Sequence, residues 1–204
     1  IVTAGGTIEE IDPVRYISNK SSGKMGIAIA KALRDRGAKV TLIHGKLENK
    51  SDTFGIRMVS INSALEMKKE IENHLENSQL IIMSAAVADY RVKNYSKEKI
   101  KKESMNSIEL EKNPDILKEI DGNKIVKVGF AAESEKLLEN AKKKLSSKNC
   151  KMIVANDITL EGSGFGSDNN KAVLIDDNGQ ENLPLMNKIK LAHKILDRAK
   201  KYIN

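Results

Sequence analysis

The feature that most constrains the fold of this chain is a regular alternation of short apolar runs with helical patterns. Six apolar runs have the length and composition of buried strands, and they span residues 1–4, 40–44, 80–85, 125–130, 152–155 and 173–175. Helical periodicity occupies residues 23–36, 64–75, 135–147 and 186–203. Parallel strands need long crossover connections, which are usually helical. The sequence therefore predicts an α/β fold with an open, mostly parallel sheet and helices on both faces.

One segment, residues 91–112, interrupts this alternation. It is polar and rich in lysine, and it ends in an alternating strand pattern at residues 107–111. It stands where a crossover helix would normally lie. We predict a protruding β-arm, a flap that either covers a site or pairs with a second subunit, and a disordered surface loop is the alternative. Further along the chain, the Asp-Asn-Gly sequence at 177–179 predicts a hairpin turn.

The charge of the chain indicates an anionic partner. Its 204 residues carry a formal net charge of +7. Nucleic acid, anionic lipid or a small phosphorylated substrate would each fit this excess. Aromatic residues make up only 3 %, with no Trp, so a stacking platform for single-stranded nucleic acid is poorly supplied. Small polyanions are the favoured interpretation, and a nucleic-acid-binding module remains the alternative.

No segment has a targeting or membrane-spanning pattern. No apolar run approaches the ~20 residues that cross a bilayer, and the N-terminus has no signal-peptide pattern. The single cysteine, Cys150, fits a reducing compartment and is interpreted as a small core residue rather than a nucleophile. We expect a cytoplasmic protein with no membrane partner. Because the chain opens on Ile1 within a strand, we expect residues 1–204 to be a single domain from a longer polypeptide.

The first strand-to-helix connection carries the clearest binding signal. After residues 5–7 (Gly-Gly-Thr) the chain makes a long excursion and returns through residues 21–26 (Ser-Ser-Gly-Lys-Met-Gly) at the start of a helix. Small residues at a helix N-terminus leave backbone N–H groups and the positive end of the helix dipole open to an anion. We predict a phosphate site there, and a capped helix after a long loop is the alternative.

Two common phosphate loops are excluded at this connection. A GxxxxGK[ST] loop would need Ser or Thr where Met25 stands, and the glycines do not have the GxGxxG spacing. A dinucleotide site would also favour an acid at the end of the second strand, where residues 44–46 are His-Gly-Lys. A short-chain reductase is therefore disfavoured, although the predicted sheet would suit one.

Asp89 follows the third predicted strand. In open α/β sheets, ligands bind at the carboxyl ends of the strands. Its carboxylate is therefore placed to accept hydrogen bonds from ribose hydroxyls or to hold a metal, and capping of a loop is the alternative. The fourth strand ends in residues 129–133 (Gly-Phe-Ala-Ala-Glu), which would line the same crevice.

A resemblance to one protein family runs along essentially the whole chain. The stretches that carry it are residues 5–7, 12–26 (DPVRYISNKSSGKMG), 85–91 (AAVADYR), 99–102, 112–117 (KNPDIL), 129–133 and 155–157. They are similar to phosphopantothenate–cysteine ligases, and more closely to the ligase half of the bacterial bifunctional flavoprotein than to free-standing ligases. Val92 departs from the family, which often has Pro there. The resemblance implies a Rossmann-like sheet with residues 91–112 as the flap.

The resemblance implies a nucleotide-dependent ligation in coenzyme A biosynthesis. Bacterial members use CTP and Mg²⁺ to convert the carboxylate of 4′-phosphopantothenate into an acyl-cytidylate with release of pyrophosphate, and L-cysteine then displaces CMP. The residues alone do not distinguish CTP from ATP, and they identify no metal ligands. A homodimer is also implied, as is a fused phosphopantothenoylcysteine decarboxylase domain in the full-length protein.

Matching positions imply catalytic and substrate-binding residues. Asn19 would hold the acyl-cytidylate and donate to its carbonyl oxygen as charge develops there. Lys99, on the flap, would close over the nucleotide and neutralise its phosphates. Arg15, Ser22 and Gly23 would bind substrate together with Asn19, and action across a dimer interface is one option for Arg15.

A second set of positions is implied to bind the nucleotide. It includes two lysines spaced i, i+4 on a predicted helix, for which a solvated helix face is the alternative. The set comprises Gly6, Ala85, Asp89, Lys99, Pro114, Asp115, Ile116, Leu117, Phe130, Lys144 and Lys148.

Overall fold

The fold is built around one eight-stranded sheet. The computed structural model describes residues 1–48, 52–102, 106–133, 135–157, 164 and 166–203. The strands in these ranges are β1 Val2–Ala4, β2 Ile8–Glu10, β3 Tyr16–Ser18, β4 Thr41–His44, β5 Arg57–Ser60, β6 Leu80–Met83, β7 Tyr90–Val92, β8 Leu110–Lys112, β9 Val126–Glu133, β10 Met152–Asp157, β11 Asn169–Asp176 and β12 Gly179–Asn187. The helices are α1 Lys24–Asp35, α2 Ala64–Leu75, α3 Ile116–Glu119, α4 Leu137–Ser147 and α5 Lys188–Ala199, with a 3-10 turn at Lys200–Tyr202.

Six neighbouring strands of this sheet are parallel, and the two pairings at one edge are antiparallel. The order is β12-β11-β10-β9-β6-β1-β4-β5, and β11 is antiparallel to both β10 and β12. The chain runs outward from β1 through β4 and β5, then returns to β6 on the other side of β1. This reversal creates a crevice at the carboxyl ends of β1 and β6, where open α/β sheets bind ligands. The predicted open, mostly parallel sheet is confirmed.

Apolar side chains on the two faces of the sheet form two cores. One face packs against α1 and α5, with Ile29 and Ile195 fully buried. The other face packs against α2, α3 and α4 through residues such as Met67, Leu117 and Ala141. Helices therefore cover both faces, as the alternation of strands and helices predicts. No helix within the described ranges is long and apolar enough to cross a bilayer.

The edges of the sheet differ from the sequence prediction. β5 and β12, which the prediction omitted, are the two edge strands and are partly or largely exposed. Because an edge strand buries few side chains, neither of them has a continuous apolar run. The predicted hairpin turn is confirmed between β11 and β12, where Gly179 has a φ of +110°.

The last helix begins later than predicted. The helical pattern extends back to Met186, but Met186 pairs with Asn170 in the sheet. Asn187 then caps α5 by accepting a hydrogen bond from the Ile189 N–H, so the helix begins at Lys188. The strand pairing overrides the helical periodicity of these residues.

The polar segment 91–112 belongs to a two-stranded arm, in which β7 and β8 are antiparallel. The alternating pattern at 107–111 forms a strand only from Leu110 onward. A second hairpin, β2–β3, which the sequence prediction omitted, lies between β1 and α1. The Ser96 N–H donates to the Ile11 carbonyl at 3.1 Å, so the arm is attached to this hairpin. Residues 103–105 of the predicted arm lie outside the described residues.

Candidate active site

A cleft of about 960 Å³ opens at the crevice of the sheet. It is bounded by the loop that leads into α1, the loop after β6, the segment from β8 into α3, and side chains from β9 and α4. Gly6, Arg15 and Lys99 are outside its lining. The residues of the sequence-based sets that do line it are Asn19, Ser22, Gly23, Ala85, Asp89, Pro114, Asp115, Ile116, Leu117, Phe130, Lys144 and Lys148.

The N-terminus of α1 faces this cleft. Gly23 is the N-cap residue, with a left-handed φ of +77°, and among the described residues no side chain caps the first turn. The first turn also has no acidic residue, so its N–H groups and the positive end of the helix dipole are open to an anion. Gly26 lets this turn lie against β1, because a Cβ there would stand 2.7 Å from the Thr3 carbonyl oxygen. The geometry suits the predicted phosphate site.

Two lysines that sequence reasoning did not select also line the cleft. Nζ of Lys24 donates to Asp168 Oδ1 at 2.8 Å and to the Gly166 carbonyl at 2.6 Å. Lys188, at the start of α5, is buried and donates to the Gly164 carbonyl at 3.0 Å. Burial, followed by the nearby charge of Lys24, lowers the pKa of Lys188. The position of Lys24 beside the glycine N-cap was a usable signal, whereas Lys188 resembled any lysine of an amphipathic helix.

The two lysines spaced i, i+4 on α4 and just after it both turn into the cleft. Nζ of Lys144 donates to the Phe130 carbonyl at 2.6 Å. Lys148 pairs with the Asp115 carboxylate, and its side chain is only 22 % exposed. Asp115 also caps α3 by accepting from the Lys118 N–H at 3.2 Å. A solvated helix face does not describe these two lysines.

Asp89 lies where the loop after β6 meets the segment after β8. Its backbone carbonyl accepts from the Asn113 N–H at 2.9 Å, and the Asn113 side chain donates to the Ala88 carbonyl at 2.9 Å. On the other side of the loop, the Ala85 N–H donates to Thr3 Oγ1 at 3.1 Å. These bonds fix the backbone of the loop, while the residue itself stays exposed at the cleft. Asp89 is therefore presented at the strand end, as the sequence predicts.

Asn19 holds the loop after β6 from the opposite side of the crevice. Its Nδ2 donates to the Ala86 carbonyl at 3.4 Å and to the Val87 carbonyl at 3.2 Å. An amide NH₂ group has two donors, so both are directed at the protein backbone. Donation to a substrate carbonyl, the implied role of Asn19, therefore requires exchange of one of these bonds for the substrate.

Gly6 lies beneath the cleft. Its backbone bridges Lys46 and Ala86, and a Cβ at this position would stand 2.7 Å from the Asn19 carbonyl oxygen. Any side chain would push the loop that carries Asn19 outward. Gly6 thus shapes the cleft through the position of this loop.

A cluster at the tip of the β2–β3 hairpin joins Arg15 to Ile100, the residue that follows Lys99 in the arm. The Asp12 carboxylate, which is fully buried, accepts from Arg15 Nε at 3.0 Å and from the Ile100 N–H at 3.2 Å. Arg15 Nη2 donates to the Ile100 carbonyl at 2.9 Å. The guanidinium holds the pKa of Asp12 well below its usual range. Arg15 and Asp12 therefore clasp the arm of their own chain at the residue after Lys99. Sequence reasoning had assigned a role to Arg15 but none to Asp12.

A Mg²⁺ ion would find few protein ligands at this cleft. Among the residues that the structure describes, no group of three or more His, Cys, Asp or Glu is arranged to hold a metal. Of the two acids that line the described part of the cleft, Asp115 is paired with Lys148, and Asp89 is exposed. Magnesium in nucleotide sites is commonly held by one or two carboxylates together with substrate phosphates. The residues fit an ion that arrives with a nucleotide.

The fold and the cleft define a class of protein, an open α/β protein with a cleft suited to an anionic ligand where the strand order of its sheet reverses. Comparison with known proteins narrows this class. The chain belongs to the family of DNA/pantothenate metabolism flavoprotein C-terminal domains, whose sequence profile matches residues 1–203.

Individual relatives agree with this assignment. The coenzyme A biosynthesis bifunctional protein CoaBC of Vibrio cholerae serotype O1 is 42 % identical over 202 residues, which cover 96 % of this chain and 50 % of the relative. A crystal structure of the C-terminal domain of a CoaBC protein is 38 % identical, with a TM-score of 0.82 and coverage of 98 % of this chain and 92 % of that one. The DNA/pantothenate metabolism flavoprotein from Streptococcus pneumoniae is 25 % identical, with a TM-score of 0.83 and coverage of 98 % and 97 %. The chain spans about half the length of the curated relatives it matches.

Proposed function

We propose that this chain is a phosphopantothenate–cysteine ligase of coenzyme A biosynthesis, with CTP as its co-substrate. The observation that carries the proposal is the cleft, which combines an uncapped helix N-terminus with a wall bearing Lys144 and Lys148. Such a site suits two phosphorylated molecules that bind side by side. Membership of the family and the names of the relatives, which are coenzyme A biosynthesis proteins, support the same activity.

The proposed reaction has two steps. A carboxylate oxygen of 4′-phosphopantothenate attacks the α-phosphorus of CTP, the bond to the bridging oxygen breaks, and pyrophosphate leaves. The amine of L-cysteine then attacks the carbonyl carbon of the acyl-cytidylate, loses a proton and expels CMP. Both steps depend mainly on positioning and on neutralisation of charge. A lining of glycines, amides and lysines, with no nucleophilic side chain in the mechanism, is suited to that chemistry.

The two halves of the cleft divide the proposed binding roles. The phosphate of 4′-phosphopantothenate binds at the N-terminus of α1, where Ser22 and Gly23 stand beside the open N–H groups. Asn19 holds the acyl-cytidylate between the halves, Lys99 acts on the nucleotide phosphates from the arm, and Arg15 serves substrate binding. Mg²⁺, when bound with CTP, neutralises phosphate charge. The nucleotide half is lined by Ala85, Asp89, residues 114–117, Phe130, Lys144 and Lys148, and Gly6 acts on it from outside the lining by placing the loop that carries Asn19.

A homodimer is part of the proposal. The β2–β3 hairpin and the arm expose apolar side chains, with Val14 61 %, Tyr16 46 %, Tyr95 48 % and Leu110 47 % exposed. Exposed apolar residues concentrated on one part of a surface mark interaction sites. A second copy of this chain, which would bury the same surface about a two-fold axis, is the proposed partner.

We also propose a second domain and a compartment for the full-length protein. The curated relatives are bifunctional proteins of about twice this length. A fused phosphopantothenoylcysteine decarboxylase domain would use the product of the ligase directly. The single described cysteine, Cys150, is buried and has a free thiol. A free thiol suits a reducing cytoplasm.

Pyrophosphate release tests the proposed activity. The purified chain is mixed with 4′-phosphopantothenate and Mg²⁺, and CTP is compared with ATP at equal concentration. We expect release with CTP before cysteine is added, and formation of CMP and an amide product after it. Turnover with ATP but not with CTP would show that the co-substrate is ATP.

Two other outcomes would replace the proposal. The net charge of +7 favours nucleic acid as an alternative ligand, and tight binding that weakens steeply with salt, without any pyrophosphate release, would favour that class. The sheet architecture alone favours a reductase, and binding of NADPH without binding of CTP would favour that one.

A further inference from the structure

β9 carries a buried lysine that the proposed reaction does not use. Lys127 is 1 % exposed, and its Nζ donates to the Leu117 carbonyl at 2.9 Å and to the Ile120 carbonyl at 2.6 Å. Burial of an ammonium group is unfavourable unless its donors are satisfied. One acceptor, Leu117, is the second residue of the four-residue helix α3, and the other, Ile120, is its C-cap residue. This lysine is therefore committed to one short helix.

This helix has little stability of its own. α3 is four residues long, and its last turn closes through the Ile120 N–H, which donates to the Ile116 carbonyl at 3.2 Å. The final carbonyls of a helix have no partner within it, and helices this short are marginal without tertiary contacts. A cation at the carboxyl end satisfies those carbonyls and interacts favourably with the helix dipole. Lys127 therefore holds α3 in place from within the core.

Gly129, two residues further along the same face of β9, brings α3 close to the sheet. A Cβ at this position would stand 2.8 Å from Leu117 Cδ2 and 2.8 Å from Ile153 Cδ1. Leu117 therefore packs on bare backbone. Lys127 and Gly129 together set both the height of α3 above the sheet and its orientation.

The position of α3 decides the shape of one wall of the cleft. Ile116 and Leu117 line it, and Asp115 at the other end of the helix pairs with Lys148. A shift of α3 would move this wall and the partner of Lys148 together. The same shift would leave the N-terminus of α1 unchanged, because α1 lies on the opposite face of the sheet.

We infer that Lys127 is a positioning residue for the nucleotide half of the cleft. Its ammonium group clamps the carboxyl end of α3, and α3 presents residues 114–117 and the Asp115–Lys148 pair to the nucleotide. Lys127 does not touch the substrate. The inference rests on the proposed ligase function for its catalytic readout, and its structural readout is independent of that function.

The test is Lys127→Met, which keeps most of the side-chain length and removes the donors. We expect the KM for CTP to rise at least ~10-fold, the scale of a lost buried charge-assisted contact. The KM values for 4′-phosphopantothenate and cysteine, and kcat at saturating CTP, should stay within about two-fold of wild type, since uniform binding alone is lost. Hydrogen exchange should quicken at the Ile120 amide and stay slow in α1.

Two further variants make the result specific. Gly129→Ala displaces Leu117 from the sheet and leaves the Lys127 ammonium group in place, and it should also raise the KM for CTP selectively. If Lys127→Met does not fold, Gly129→Ala tests whether the position of α3 controls the KM for CTP. Ile195→Val, in the core on the other face of the sheet, is the control for a general loss of stability. It should lower the thermal midpoint and leave all three KM values unchanged.

Three results separate the clamp from the proposed function. An unchanged KM for CTP in folded Lys127→Met would overturn the positioning role. So would a rise in all three KM values in step with the loss of thermal stability, because that pattern belongs to general destabilisation. If wild type itself releases no pyrophosphate with CTP, the proposed function fails, and hydrogen exchange at Ile120 still decides whether Lys127 holds α3.

Discussion

Asn19 is committed to contacts within the protein, and the role proposed for it must be compatible with them. Its two amide hydrogens are directed at the Ala86 and Val87 carbonyls, which belong to the loop that lines the nucleotide half of the cleft. The side chain therefore joins the loop before α1 to the loop after β6. When negative charge develops on a substrate carbonyl, one amide donor can turn to it without gain or loss of a proton.

This arrangement predicts a separation of the two half-reactions in Asn19→Asp. A carboxylate has no donor for either the loop or the developing oxyanion, and it presents like charge to the oxyanion. We expect the variant to bind CTP and release pyrophosphate, to accumulate the acyl-cytidylate, and to form product with cysteine at least ~10²-fold more slowly. Quenched reactions with resolved nucleotides measure this. An equal loss in both half-reactions would assign Asn19 to structure or binding only.

The clasp at the hairpin tip predicts that Asp12 acts through the arm. Lys99→Gln should slow pyrophosphate release by ~10²-fold, the scale of one well-placed charged donor. Asp12→Asn weakens the hold on Ile100 and should slow the same step. If Asp12 acts only by placing Lys99, the double variant will be no slower than Lys99→Gln alone. Single-turnover measurements on all three proteins test this.

Two outcomes would contradict the prediction. Additive losses would mean that Asp12 and Lys99 act independently. A rate of pyrophosphate release that is unchanged in Lys99→Gln would remove the arm lysine from the mechanism.

Among the elements, the antiparallel edge of the sheet is joined to α5 by Arg198, which pairs with Asp176 on β11 and with Glu181 on β12. Arg198 binds the Asp176 carboxylate through two bonds, Nε to Oδ2 at 2.6 Å and Nη2 to Oδ1 at 2.7 Å. Burial works to raise the pKa of Asp176, but the guanidinium, the Tyr202 hydroxyl and the Asn178 N–H outweigh it, and the pKa is lowered. The pair therefore fastens the end of β11 to α5, the helix that packs beside α1 on the same face of the sheet.

This pair predicts a pH-dependent contribution to folding. Asp176→Asn removes the buried charged partner of Arg198 and leaves the guanidinium paired with the more exposed Glu181. It should lower the free energy of unfolding by up to about 3 kcal/mol at pH 7. Because the carboxyl pKa is lower in the folded state, its stabilisation is complete above the ordinary value of 3.8 and is lost as the pH falls through the folded-state value. Denaturant titrations at pH 7 and below pH 4 should show the difference between wild type and variant shrinking in acid.

A constant difference across this pH range would contradict the assignment. It would show that the variant acts through packing, and not through the charge of Asp176. Ile195→Val, which changes no charge on the same helix, should show that constant behaviour.

At the scale of the whole molecule, the arm and hairpin predict assembly. A two-stranded arm with exposed apolar side chains is poorly stable alone. Sedimentation at micromolar concentration should give twice the chain mass of 22.6 kDa. Leu110→Lys places a charge on the arm surface and should shift the protein to monomer. Phe54→Ser, which removes a 91 % exposed aromatic outside the arm, is the matched control and should remain dimeric.

A wild-type monomer with full activity would contradict this prediction. A dimer that survives Leu110→Lys would show that another surface holds the two copies together.

The sequence by itself determined those strands and helices that have an apolar, buried face of their own. The central strands have the form of apolar runs, and α2 was predicted with its observed bounds from its helical periodicity. The structure shows that Ser63 caps this helix and that Met67 and Ile71 share its buried side. Motifs contiguous in sequence were equally visible, as in the glycine-bounded start of α1. These features depend on local geometry and on hydrophobic periodicity, and both are properties of a single continuous segment.

Only the tertiary structure decided how distant segments meet. The edge strand β12 forms because β11 has an edge to which it can pair. Lys127 has no distinguishing pattern in the sequence, but in the structure it is buried and donates to the Leu117 carbonyl of α3. In the same way Asp12 reaches Ile100, and Lys148 reaches Asp115, across loops of unrelated sequence. Hydrogen bonds and ion pairs of this kind leave no periodic pattern, because a donor and its acceptor are matched in space and not along the chain.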